Sequence, residues 1–210
     1  MQKIASICVF AFLCSLPVSA FAESSDSIEI LTPWSERSDN TLRILIINTA
    51  DLSEEKISII KKVINSDVSH TENGHIYFEG WTGALRSLNS NIKKFEITVS
   101  EEKIAGSDIV LELSKEMNGR YNGWTTPQYV GNHLTGAYIQ IFDSENISSS
   151  QLENLSRHEL GHALGLGHAT EKNALMYPSM GSEPKFISYC EISGLEALSG
   201  GMTFRDVDCS

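Results

Sequence analysis

The run TLRILIIN (Thr41–Asn48) places one charge among β-branched and apolar side chains, a pattern that reads as a strand covered on both faces. The period then changes. In LSEEKISIIKKVINSDV, Ile57, Ile60, Val63 and Ile64 recur at helical spacing behind Ser53, with Glu54 and Glu55 in the first turn, so a helix capped by Ser53 is predicted. FEITVS (Phe95–Ser100) and DIVLEL (Asp108–Leu113) read as two further strands. Strand–helix–strand order implies a right-handed crossover and a partly parallel sheet. The stretch from Met117 to Gly136 is rich in glycine and polar residues and reads as loop, with Pro127 confining any strand there to a sheet edge. AYIQIF (Ala137–Phe142) alternates and predicts another strand. After the serine-rich SENISSSQ, Ser150 with Glu153 has the spacing of a capping box for a helix to about Leu164. Ser188 with Glu191 repeats it for a final helix that ends before Gly200 and Gly201. Residues 23–40 are polar, contain Pro33 and read as an N-terminal leader into a single domain, 41–210.

The first residues obey a different logic. Lys3, an apolar run from Ile4 to Val18, and Ala20-Phe21-Ala22 follow the layout of a secretory signal peptide over residues 1–22, cleaved after Ala22. The run is shorter than the ~20 residues that a spanning helix needs, so an exported chain without membrane association after cleavage is expected. A formal net charge of −11 argues against nucleic acid and anionic membranes as partners. Cys8 and Cys14 leave with the signal peptide; Cys190 and Cys209 remain, and in an exported chain such a pair reads as one disulfide, two free thiols being the alternative.

The chemistry lies in RHELGHALGLGHA (Arg157–Ala169). His158 and His162 are four apart in the predicted helix, so their rings leave one face about a turn apart, a spacing at which two imidazoles reach one ion roughly 2 Å from each. Glu159 stands beside the pair and is not needed as a ligand. Gly165 sits where a left-handed residue stops a helix, so the chain can turn back and His168 can complete a three-histidine set. A fourth position left open marks a catalytic zinc site.

HELGHALGLGH resembles the HExxHxxGxxH signature of the metzincin metalloproteases, and ALMYP (Ala174–Pro178) resembles the Met-turn of their matrixin branch, with Met176 beneath the metal. DIVLEL and ISYCEISGLEALSG are similar to the matrixin third strand and C-terminal helix. The resemblance implies an α+β, zincin-like fold: a mixed, mostly parallel twisted sheet of about five strands with an antiparallel edge strand, an active-site helix and a C-terminal helix. It departs at Ala169, where matrixins usually carry Ser, at Pro178, where other branches carry a metal-binding Tyr, and at Cys190 and Glu191, where matrixins typically show two aspartates. A Cys190–Cys209 bond is the expected anchor of the tail in their place.

Three neutral imidazoles leave a bound Zn²⁺ its full charge, which lowers the pKa of bound water from 15.7 towards ~7, and Glu159 is placed as the general base. The expected activity is that of a secreted zinc endopeptidase acting on protein or peptide substrates. A non-catalytic zinc-bearing module and a zinc amidase acting on cell-wall peptides are the alternatives. By resemblance the substrate adds to an exposed edge formed by YNGWTTP, including Trp124 and Thr125, and Pro178 to Met180 wall the specificity pocket. His133 reads more simply as a surface residue than as a second zinc ligand, and so do His70 and His75. Asp143 and Glu145 resemble the acidic loops that bind calcium in some relatives, though a solvated acidic turn is the simpler reading.

Overall fold

A computed structural model describes residues 25–209 apart from 89–91, 93, 180 and 182. The segment read as a signal peptide and Met180 lie outside the described residues.

A five-stranded sheet organises the chain. Its centre is β2 (Thr41–Asn48), parallel to β5 (Lys94–Ser100) on one side and to β6 (Ile109–Leu113) on the other. β8 (His133–Ile141) extends the parallel set, and β7 (Gly123–Val130) closes the edge antiparallel to β8. The spatial order is therefore β5-β2-β6-β8-β7, the mixed sheet with an antiparallel edge that the family resemblance implies. The β2 run is continuous because both faces are covered: Leu42, Ile44 and Ile46 point into the main core, while Leu45 and Ile47 form a second cluster with Val110 and Tyr138.

Beneath the main face lie α1 (Glu54–Asn65) and α3 (Ser149–Ala163). Ser53 caps α1 as expected, and Ile57, Ile60, Val63 and Ile64 are its buried stripe. Burial of each such side chain stabilises the fold by about 1.5–3 kcal/mol. The capping box of α3 differs from the expectation: it is Ser148 with Gln151, not Ser150 with Glu153. Three consecutive serines offer three registers, and Glu153 is used instead in an ion pair with Arg157. α4 (Tyr189–Ser199) starts on the predicted Ser188/Glu191 box.

Residues 23–40, read as a leader, carry β1 (Ser27–Ile30). This strand is the middle of a second sheet, between β9 (Leu166–Ala169) and the C-terminal β10 (Arg205–Asp208). Ile28 and Ile30 are fully buried, and Trp34 donates from Nε1 to Ala163 O at 2.9 Å, tying this segment to the end of α3. Cys190 and Cys209 form a disulfide that fixes β10 to α4. Residues 69–78 form a hairpin of β3 (Ser69–Glu72) and β4 (His75–Phe78), followed by a short helix, α2 (Trp81–Ser87). The stretch predicted as loop from Met117 to Gly136 contains all of β7 and the start of β8.

Candidate metal centre

α3 delivers the first two histidines and then stops. Gly165 follows its C-cap with φ +100, the left-handed turn that its missing side chain permits. A Cβ there would also meet Leu198 Cδ1 at 3.2 Å and press on Thr32 O. The chain reverses into β9, which β1 holds in place through the pairs Ile28↔Ala169 and Ile30↔Leu166. His168 on this strand thereby faces His158 and His162, and one nitrogen from each lies within 4.8 Å of the others.

Second contacts fix which nitrogens converge. His158 Nδ1 lies 2.8 Å from Leu175 O, and His162 Nδ1 lies 2.9 Å from Leu166 O. A carbonyl can only accept, so both Nδ1 atoms carry the proton and both Nε2 atoms present lone pairs. Those two Nε2 atoms are 3.1 Å apart. Burial holds the rings neutral, lowering His158 to about 4 and His162 to about 3, and it lowers His168 as well, with the Glu29 charge opposing. Two buried lone pairs facing each other without a proton between them repel unless a cation lies between. The separation matches two ligands of one tetrahedral ion at roughly 2.0–2.1 Å from each. The donor set therefore fits zinc.

Around the histidines is a cavity of about 290 Å³ lined by Leu31, Trp124, Thr125, Pro127, Glu159 and Pro178, among others. Glu159 is 5 % exposed. Burial pushes its carboxyl up to about 7, and the Thr125 hydroxyl, which donates to Oε2 at 2.6 Å, pulls the other way. Gly123 leaves room for this carboxylate, since a Cβ there would lie 2.5 Å from Glu159 Oε1.

The turn carrying Met176 passes behind α3. Met176 is fully buried with its sulfur against Gly161, and its N–H donates to Glu191 Oε1 at 3.0 Å. On the same side, Arg157 is 1 % exposed and binds Glu79 O, Lys185 O and Glu153. Asn154 donates to Glu183 O and accepts from Lys185 N. Two α3 side chains thus pin the segment after Pro178. Neither position stands out in the sequence, because apart from Glu153 their partners are main-chain groups more than two dozen residues away.

Among the described residues, His158, His162 and His168 are the one group of metal-ligating side chains close enough to share an ion. His133 lines a separate cavity beside Trp34 and Leu198. His70 packs on Tyr77 and Phe186, and His75 pairs with Glu72 across the hairpin. Asp143 accepts from Asn146, and Glu145 pairs with Lys115.

The sequence model of the family Matrixin matches residues 73–199, which contain the three histidines, Glu159 and Met176. The chain belongs to the matrixins. Individual relatives match over shorter stretches. Metalloendoproteinase 1-MMP of Arabidopsis thaliana is 36 % identical over 74 residues, covering 32 % of this chain and 20 % of that protein. Human matrilysin is 46 % identical over 46 residues, covering 20 % and 17 %. Bovine interstitial collagenase is 40 % identical over 58 residues, covering 27 % and 12 %. The chain thus matches at most a fifth of the length of these relatives. A crystal structure of metalloproteinase-II from Bacteroides fragilis aligns with 74 % of this matrixin and 52 % of that chain, at TM-score 0.39 and 15 % identity.

Proposed function

We propose that this matrixin is a zinc-dependent endopeptidase that hydrolyses peptide bonds of extended polypeptide segments. The observation that carries this reading is the convergence of two unprotonated Nε2 atoms, 3.1 Å apart, beside a buried carboxylate in an open cleft. His158, His162 and His168 would hold the ion, which when bound supplies Lewis acidity towards water and a substrate carbonyl. Glu159 takes the proton of the attacking water and passes it to the leaving amine. Thr125 holds Glu159 Oε2 and leaves Oε1 directed towards Gly123 and the cleft. The substrate lies along β7 as an added strand, so that backbone hydrogen bonds supply affinity. Trp124, which is half exposed, and Pro178 flank its side chains.

Residues 1–22 act as a secretory signal in this reading, and the Cys190–Cys209 bond agrees with an oxidising destination. No helix among the described residues is long and apolar enough to cross a membrane. The test is zinc content of the purified chain together with casein digestion, with and without a chelator. About one equivalent of zinc and chelator-sensitive digestion are expected, with Glu159→Gln keeping its zinc and losing turnover. Full turnover by a zinc-loaded Glu159→Gln protein removes Glu159 from the role of base. Cleavage of cell-wall peptides but not of casein redirects the reading to an amidase.

A further inference from the structure

We infer that Pro127 ends the substrate-binding edge of β7, so that the cleft offers complete backbone pairing only at Gly123 and Thr125. The inference rests on the reading that substrate adds to this edge.

The pairing of β8 fixes which backbone groups of β7 face the cleft. Ala137 N–H donates to Asp108 O at 3.0 Å, and Ser114 N–H donates to Ile141 O at 2.9 Å. Ala137 and Ile141 therefore turn their main-chain groups towards β6, and by alternation so does Ile139. Tyr138 and Gln140 then serve β7, opposite Thr126 and Trp124. The bond from Phe142 N–H to Asn122 O at 2.8 Å is in the same phase. Gly123, Thr125 and Pro127 are the intervening residues, opposite Ile141, Ile139 and Ala137. Their main-chain groups point away from β8, to the side on which no strand pairs with β7 among the described residues.

Gly123 and Thr125 border Glu159, through the close approach at Oε1 and the hydroxyl bond at Oε2. Each presents one donor and one acceptor to a guest strand. Pro127, which lines the same cleft, presents a carbonyl alone. A guest residue opposite Pro127 can donate its N–H but finds no donor for its own carbonyl. The register shift between Gln128 and Tyr129 places its extra residue in β8, and Leu134, opposite Tyr129, bonds to Pro33 and Ser35 instead of β7, so Tyr129 keeps the phase of Pro127. Tyr129 is not among the residues that line the cleft, so no donor follows Pro127 within it. The substrate is thus gripped over a short window centred on Glu159, and residues beyond it on the Pro127 side gain little from the backbone. The same missing donor works against two copies of the chain pairing edge to edge.

The test uses the full chain with zinc bound and Glu159→Gln to prevent cleavage, with peptides lengthened one residue at a time from either end. With Pro127, affinity should stop rising once Gly123 and Thr125 are covered. With Pro127→Ala, peptides extended on that side should bind roughly two- to tenfold tighter, as one restored hydrogen bond implies, while short peptides bind equally to both. The amide that Pro127→Ala introduces should gain protection from hydrogen exchange when peptide is added. A second arm needs no change at this position: replacing peptide amides by esters one by one should weaken binding opposite Gly123 and Thr125, with no loss from weakening the carbonyl opposite Pro127. Identical length dependence of the two proteins, with the introduced amide unprotected, overturns the inference and leaves strand addition intact. Peptide binding that leaves the Gly123 and Thr125 amides unprotected overturns strand addition, and this inference with it.

Discussion

Replacing Glu191 tests whether the C-terminal helix and the metal centre are one mechanical unit. Glu191 is 0 % exposed, yet its carboxylate meets three donors: Met176 N–H at 3.0 Å, Ser188 N–H at 2.8 Å and the Ser188 hydroxyl at 2.6 Å. One side chain therefore closes the cap of α4 and fastens the Met176 turn. The residue before that methionine, Leu175, supplies the carbonyl that holds His158 Nδ1. In Glu191→Ala the buried Met176 amide loses its acceptor, which costs about 1–3 kcal/mol. Opening the capping box costs about 1 kcal/mol more. Glu191→Gln keeps the size but presents an amide NH₂ to one of the donors, so it should fall between.

At a total of about 3 kcal/mol, the midpoint of thermal unfolding should drop by roughly 6–12 °C in a domain of this size. Zinc affinity, measured by competition with a chromophoric chelator, should fall about tenfold or more, because removing the support behind a ligand typically costs that much. A Glu191→Ala protein that loses stability but keeps its zinc affinity refutes the mechanical link. One that loses neither refutes the hydrogen-bond accounting as well.

The remaining expectations probe other joints of the same structure. Gly161→Ala sets a Cβ against Met176 Sδ, 3.1 Å from Met176 Cε and 3.2 Å from Trp81 Cζ2, both residues being fully buried. Overpacking of about 1–3 kcal/mol should outweigh a helix-propensity gain of about 1 kcal/mol, and a variant with a clearly raised melting temperature contradicts this. Reducing Cys190–Cys209, 19 residues apart, releases a loop closure of about 3 kcal/mol. Urea denaturation with and without reductant reads the loss, and equal midpoints refute it. In the metal-free protein, His158 and His162 are lowered to about 4 and 3, so the unfolded chain takes up their protons first as pH falls below 6.5. Glu159, raised to about 7, acts oppositely: its contribution is full below pH 4.5 and lost as pH rises through 7. Two groups outweigh one, for a net loss on the order of 5 kcal/mol between pH 6.5 and 3. Metal-free stability that rises over that interval contradicts the burial of the two rings.

The parts of the fold legible in the sequence are those encoded over a few residues. The β2 run, the α1 stripe behind Ser53 and the Ser188/Glu191 box are local patterns, and each appears where it is predicted. The α3 cap lies two residues before its predicted place because neighbouring serines compete for the same role. Asn73-Gly74, with φ 52 and 85, is a hairpin signal whose first flank, SHTE, is polar throughout and lacks the alternation that marks a strand. β1, β9 and β10 are illegible for a different reason. Each is four residues long, and the pairs Ser27↔Asp208 and Ile28↔Ala169 join distant parts of the chain. No local periodicity reports on such a pairing.

The same division runs through the metal centre. Spacing four apart on a helix sets two histidines on one face, and a glycine stop turns the chain so that the third can return to them, so the three candidates can be read directly. What makes them ligands is less local. His162 takes its tautomer from Leu166 O, four residues on and within reach only because Gly165 turns the chain. His158 takes its own from Leu175 O, held indirectly by Glu191, and Glu159 is oriented by Thr125 from a strand on the other side of the cleft. His168 depends on β1, which places Glu29 across Gly167. A Cβ at position 167 would lie 2.5 Å from Glu29 Oε2, so the glycine that spaces the motif also admits the strand that steadies its last histidine. The signature is therefore a local record of a packing arrangement whose other half is spread over β1, β7 and α4.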